Sequence, residues 1–244
     1  MEVWSPARTN GTAVLVAGGG GYRSIALGTE SWPAARWLNE QGITAFVLSY
    51  RLPGEGWTDG PLAPLQDAQR ALRLIRARAG QFGVDGTRVG VLGFSAGGHL
   101  MGLSTTRSAF RSYEPIDEID GLSARPAFAA LIYPIITLRA PYDDTITRRM
   151  LIGDRPSSSN VTLWSVETHV EANCPPVFLV QAKDDPISDP ANTLIMEQAC
   201  ERAEVPVELH QLAAGGHGFG MGRAGTPTAA WPGYFAKWLS AIDG

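Results

Sequence analysis

The chain is poor in cysteine, in long apolar runs and in surplus charge. Only Cys174 and Cys200 occur in 244 residues. That excludes a small scaffold stapled by several disulfides, and free buried thiols are the expectation. No apolar run approaches the roughly 18 residues a membrane-spanning helix requires, so no membrane partner is expected. The net charge is −4, and Lys and Arg form no cluster, which leaves no electrostatic footprint for nucleic acid. The N-terminal MEVWSPARTNGTAVLVAG lacks the charged-then-apolar order of a signal peptide, so a cytoplasmic location is the expectation. Internal repeats and low-complexity tracts are absent. Histidine is scarce too: His99, His169, His210 and His217 are the four in the chain, and any general base of the imidazole type must be one of them.

What is present is a regular alternation. Hydrophobic residues make up 44% of the chain, an ordinary globular value, and the length suits a single domain spanning residues 1–244. AVLVA (13–17), ITAFVLSY (43–50), 88–94, AFAALIY (127–133), VFLVQA (177–182) and VELHQL (207–212) read as strands. Between them, 31–41, 64–82, a segment after Ser95, 190–203 and 228–242 read as helices. In the second of these, Leu65, Ala68, Leu72 and Ile75 recur at three- and four-residue spacing. Most of the strands are apolar on both faces. That pattern predicts an α/β fold with a mostly parallel sheet covered by helices on both sides. Residues 137–173 break the rhythm with a polar stretch, expected to be a short insertion over the sheet edge.

The chemistry gathers at strand ends, where open parallel sheets bind their ligands. In VGVLGFSAGGH (89–99), Ser95 stands between Gly93 and Gly97 at a strand-to-helix change. A serine there could be a simple helix N-cap. The strand–turn–helix context instead supports the G-x-S-x-G elbow. Flanking glycines avoid collisions, and the hydroxyl is pushed into the open above a helix N-terminus. A serine nucleophile needs a base and an orienting acid. His99 lies along the helix after Ser95, His169 in the irregular insertion and His210 inside a strand. His217 lies in AAGGHGFGM, a glycine-rich loop past the last strand, and is the candidate base. The acid should follow VFLVQA, where KDDPISD offers Asp184, Asp185 and Asp189; Asp185 is the choice and Asp184 the alternative, with Asp189 a capping residue before Pro190. AGGGGYRS (17–24) follows the first parallel strand. It lacks the lysine of a phosphate-binding loop, so Gly20 and Gly21 are expected to complete an oxyanion hole with the N–H of Ala96.

With these parts assembled, the chain resembles the serine α/β-hydrolases, and within them the esterase branch of acetyl xylan esterase-like and feruloyl esterase-like proteins. GGGYRS, ARWLNEQGITAFVLSYRLP, PLQDAQRALRLIRARA, VGVLGFSAGGHL, PPVFLVQAKDD and VPVELHQLAAGGHGFG carry the resemblance in order along nearly the whole chain. It implies the eight-stranded α/β-hydrolase fold in trimmed form without a large cap domain, a Ser95–Asp185–His217 triad, and no metal or other cofactor. The sequence departs from that branch at Gly18, where many members open the oxyanion segment with histidine. It departs again at Gln181, where a histidine is usual, and at Asp189, where proline is common.

The expected activity is hydrolysis of short-acyl carboxylic esters through an acyl-enzyme, acetyl groups on sugars or xylo-oligosaccharides foremost. The expected partner is therefore a small-molecule ester; a homodimer is compatible with the sequence but not called for by it. Tyr22, Trp57, Tyr133, Tyr142 and Trp164 are candidates to stack on a sugar or aromatic alcohol. An amide or peptide hydrolase on the same triad and a catalytically silent binding module are the competing readings. Cysteine in place of Ser95 would have pointed to a dienelactone-type hydrolase.

Overall fold

The structure, a computed structural model, describes residues 1–242. Seven strands form one sheet: β1 (Glu2–Trp4), β2 (Ala13–Ala17), β3 (Thr44–Val47), β4 (Val89–Phe94), β5 (Ala129–Ile132), β6 (Val177–Ala182) and β7 (Val207–Leu212). Their order is β1-β3-β2-β4-β5-β6-β7. Only β1 runs antiparallel, pairing with β3; every other pairing is parallel. The mostly parallel sheet is the expected one. β1 was not foreseen, because three largely exposed residues on an edge carry no pattern.

Every residue of β2 to β6 is buried, which is why these strands read as continuous apolar runs. Alternate residues feed two cores. On one face Leu15, Val91, Leu131 and Leu179 pack against α2 (Ala63–Ala77), α3 (Ala96–Thr106) and α6 (Ala191–Arg202). On the other, Val14, Leu92, Ala130 and Phe178 meet α1 (Trp32–Glu40) and α7 (Trp231–Ile242), the latter through Trp231, Phe235 and Trp238.

The 137–173 segment is corrected by this arrangement. It carries α4 (Ile146–Ile152) and α5 (Ser158–Trp164). Rather than lying over a sheet edge, it packs on the α2–α3–α6 face through Leu138, Leu151, Trp164 and Val166. The physical reason is the β5–β6 crossover, whose two strands are neighbours inside the sheet and leave a face that must be covered. Val166 sits against Gly102 of α3, where an added Cβ would stand 2.9 Å from its Cγ1. Cys174 and Cys200 are both free and buried, and burial pushes the Cys200 thiol up to about 12. Among the described residues, no helix is long and apolar enough to cross a membrane.

The strand order fixes where a ligand can sit. The chain passes from β2 to β3 on one side and then crosses to β4 on the other. Connections leaving β2 and β4 diverge at their carboxyl ends and open a crevice there. The loops after β2 and β4 are those holding Gly20, Gly21 and Ser95.

Candidate active site

Ser95 occupies the turn between β4 and α3 with φ 51° and ψ −118°. Its neighbours have no room for side chains. A Cβ on Gly93 would lie 2.3 Å from the Gly97 carbonyl oxygen, and one on Gly97 would lie 2.2 Å from that of Ala17. The glycines thus let α3 start hard against β2 and β4 while the serine takes the strained conformation.

Three side chains from three loops meet at this turn. The Ser95 hydroxyl donates to His217 Nε2 at 2.8 Å. His217 Nδ1 donates to Asp185 Oδ2, also at 2.8 Å. Asp185 is held in turn: Ile187 and Ser188 N–H groups donate to Oδ1 at 2.8 and 2.9 Å, and Gln181 Nε2 donates to Oδ2 at 2.9 Å. Its side chain is closed to solvent. Asp184, the alternative acid, faces elsewhere. Its Oδ1 accepts from the Gly215 and Gly216 N–H groups at 2.8 Å each, which anchors the base of the His217 loop and holds its carboxyl below the usual range.

The departures from the esterase pattern find local reasons. A Cβ at Gly18 would stand 2.7 Å from Ser31 Oγ, so a histidine has no space there. Gln181 is fully buried and supplies the amide that steadies Asp185. Asp189 Oδ1 accepts from the Ala191 N–H at 2.8 Å, from the position just before Pro190, the N-cap residue of α6.

A cavity of about 710 Å³ opens beside Ser95 and His217. Gly20, Gly21, Arg23 and Ser24 line it from the loop after β2, Ile146 and Arg149 from α4, and Ile135, Pro186 and Ile187 complete the apolar wall. Gly20 and Gly21 have φ 116° and 64°. Among the described residues, the N–H groups of Gly20, Gly21 and Ala96 donate to no protein acceptor. Backbone donors left open beside a serine hydroxyl suit an oxygen that gains negative charge.

The other histidines have different partners. His99 is fully buried. Its Nε2 donates to the Trp164 carbonyl at 2.8 Å and its Nδ1 accepts from the Tyr22 hydroxyl at 2.9 Å; burial brings it down to about 4, so it is neutral at physiological pH. His169 bonds the Leu163 carbonyl, and His210 stacks on Tyr234.

The five aromatic candidates for substrate stacking are not on the cavity wall, and the expectation is corrected. Tyr22, Tyr133 and Trp164 are buried at 1%, 0% and 5% exposure, committed to packing and to hydrogen bonds. Trp57 is exposed, but it is tied to Glu55 and lies under Arg51. Tyr142 is half-buried beyond the lining. Ring content alone does not distinguish a core aromatic from a binding one. Conversely, the residue reading missed Glu30, a buried carboxylate on the cavity wall beside Ser95. A lone acidic residue just before an apolar helix was the available signal.

Comparisons with known proteins agree with this architecture. A family model described as BD-FAE matches residues 1–199. An endo-1,4-beta-xylanase B of Butyrivibrio fibrisolvens is 32% identical over 207 residues, covering 84% of this chain and 32% of that protein. An acetylxylan esterase of Xylanibacter ruminicola is 29% identical over 230 residues, covering 91% of this chain and 44% of that protein. The chain thus spans from about a third to less than half of these curated relatives. Among solved structures, an acetyl ester-xyloside bifunctional hydrolase from Caldicellulosiruptor lactoaceticus superposes with a TM-score of 0.89 at 33% identity, covering 99% of this chain and 87% of that one.

Proposed function

Since the chain belongs to the BD-FAE family and has the α/β-hydrolase fold, we propose that it is a serine carboxylesterase that removes short acyl groups, acetyl foremost, from sugar esters such as xylo-oligosaccharides. The observation that carries this reading is the chain of two 2.8 Å hydrogen bonds from Asp185 through His217 to Ser95, beside open backbone donors on one cavity.

The mechanism follows from the atoms present. His217 Nε2 takes the Ser95 proton as Oγ attacks the ester carbonyl. Asp185, fixed by three other donors, keeps Nδ1 protonated and faces the imidazolium that forms. The carbonyl oxygen becomes an oxyanion and takes the N–H groups of Gly20, Gly21 and Ala96. His217 then protonates the leaving alcohol, and the same nitrogen activates water to release the acid from Ser95. Loss of one oxyanion donor is expected to cost about 10²–10³ in rate.

The apolar wall of Ile135, Ile146, Pro186 and Ile187 suits a small acyl group, while Arg23, Ser24, Asp144 and Arg149 give the cavity polar surface for an alcohol rich in hydroxyls. The names of the acetylxylan esterase and acetyl ester-xyloside hydrolase relatives support the same substrate class. Initial rates on p-nitrophenyl esters of increasing acyl length test the reading, followed by acetylated xylo-oligosaccharides. Fastest turnover on acetate, fading with chain length, is the expected result. A folded protein inactive on every ester but active on an anilide would turn the assignment toward amide hydrolysis.

A further inference from the structure

Glu30 is 5% exposed, lines the cavity with Ser95 and His217, and forms no ion pair with Lys or Arg among the described residues. Its two oxygens face different loops. Oε2 accepts the Gly19 N–H at 2.6 Å, directly before the oxyanion glycines. Oε1 accepts the Tyr133 hydroxyl at 3.0 Å. That same phenol oxygen accepts the Gly220 N–H at 3.0 Å, in the loop that carries His217. The Tyr133 ring stands edge-on to His217 with centroids 4.9 Å apart, and its backbone has φ 38°. Two donors converge on the carboxylate, so its ionised, acceptor-only form fits the contacts, whereas an amide would turn an N–H group toward one of them.

Resting on the esterase reading above, we propose that Glu30 is a positioning residue for this reaction: a buried carboxylate that ties the oxyanion loop to the histidine loop through Tyr133 and directs its negative charge toward His217. Burial raises its carboxyl, while the hydrogen bonds and the charge of protonated His217 draw it back. The other groups facing His217 are Asp185 behind it, Ser95 in front and Tyr133 at its side. Arg23, Asp144 and Arg149 share its cavity, and Asp184 and Arg223 bond the backbone of its loop. Asp185 orients the imidazole by direct contact. Glu30 adds a second negative charge on the cavity wall it shares with His217, placed to face the imidazolium that forms as Ser95 attacks.

The test compares wild type with Glu30→Gln, Glu30→Asp and Tyr133→Phe in p-nitrophenyl acetate hydrolysis, reading kcat, KM and the pH profile of kcat/KM. Glu30→Gln removes the charge. Its acidic limb is expected to move to lower pH by about half a unit, with kcat down about tenfold and KM little changed. Glu30→Asp keeps the charge but shortens the link; its acidic limb should stay near the wild-type position while kcat falls. Tyr133→Phe cuts the link and spares the charge, and should likewise lower kcat. NMR titration of the His217 imidazole in the Ser95→Ala background reads the charge effect without turnover. An unmoved His217 titration in folded Glu30→Gln, or wild-type kcat in Tyr133→Phe, would overturn the proposal. Full activity in Ser95→Ala would instead overturn the esterase mechanism and leave the titration to judge Glu30 separately.

Discussion

Ser95 is held at positive φ between two glycines that cannot carry side chains, an arrangement that costs the fold about 1–3 kcal/mol. Here the strained residue presents a hydroxyl aimed at His217. The two neighbouring aspartates divide their work by direction. Asp185→Asn can no longer hold His217 in the productive tautomer, and kcat should fall by about 10⁴. Asp184→Ala leaves the Gly215 and Gly216 N–H groups without their acceptor. Its kcat should fall by no more than about tenfold, with a lower Tm, and parallel kinetics and thermal melts separate the two. That Ser95, Asp185 and His217 would meet was legible because each stands just past the end of a predicted strand, in that chain order. Glu30 and the support from Tyr133 and Gln181 were not legible, since a single buried polar side chain leaves no periodic trace. The aromatic candidates went astray for a related reason: Tyr22 and Tyr133 are buried and bond His99 and Glu30 instead of lining the cavity.

Among the elements, the ends of β6 and β7 are legible because proline stands directly before each strand and polar or small residues follow it. The sequence pattern starts the helix before β3 at Ser31, yet the chain first makes a wide turn at 27–31 that carries Glu30 inward. Hydrophobic spacing does not register a five-residue turn. The short helices α4 and α5 were hidden in polar composition, and α4 proves to be a wall of the cavity. The elbow gives a prediction at this scale. Gly97→Ala would drive a Cβ to 2.2 Å from the Ala17 carbonyl oxygen, so α3 must shift away from β2. A loss of about 1–3 kcal/mol in urea unfolding is expected, together with a large fall in kcat. A second prediction concerns His99, which links α3 to the Trp164 carbonyl and, through Tyr22, to the loop after β2. Its folded value of about 4 lies below the ordinary 6.5, so the folded state binds fewer protons between those values. The stability tied to neutral His99 is complete above pH 6.5 and is lost as pH falls toward 4, on the order of 3 kcal/mol. Urea melts of wild type and His99→Gln across that window should show the wild type losing stability more steeply.

At the scale of the whole molecule, the sheet order places the crevice between the loops after β2 and β4, and the loops after β6 and β7 bring Asp185 and His217 to it. The α/β class was legible because buried parallel strands and amphipathic helices each leave a distinct pattern. Which cavity-lining groups would meet the alcohol was not, because the wall is assembled from residues as far apart as Arg23, Ile146 and Ile187. The proposed reaction depends on one covalent bond at one oxygen. The most direct measurement is therefore intact-mass and peptide analysis after exposure to a fluorophosphonate, in wild type and in Ser95→Ala, with residual esterase activity followed in the same samples. The account predicts one phosphonyl group per chain, located on Ser95, appearing in step with the loss of activity and absent from the variant. Stoichiometric labelling at another residue, or full activity in a protein labelled on Ser95, would contradict it.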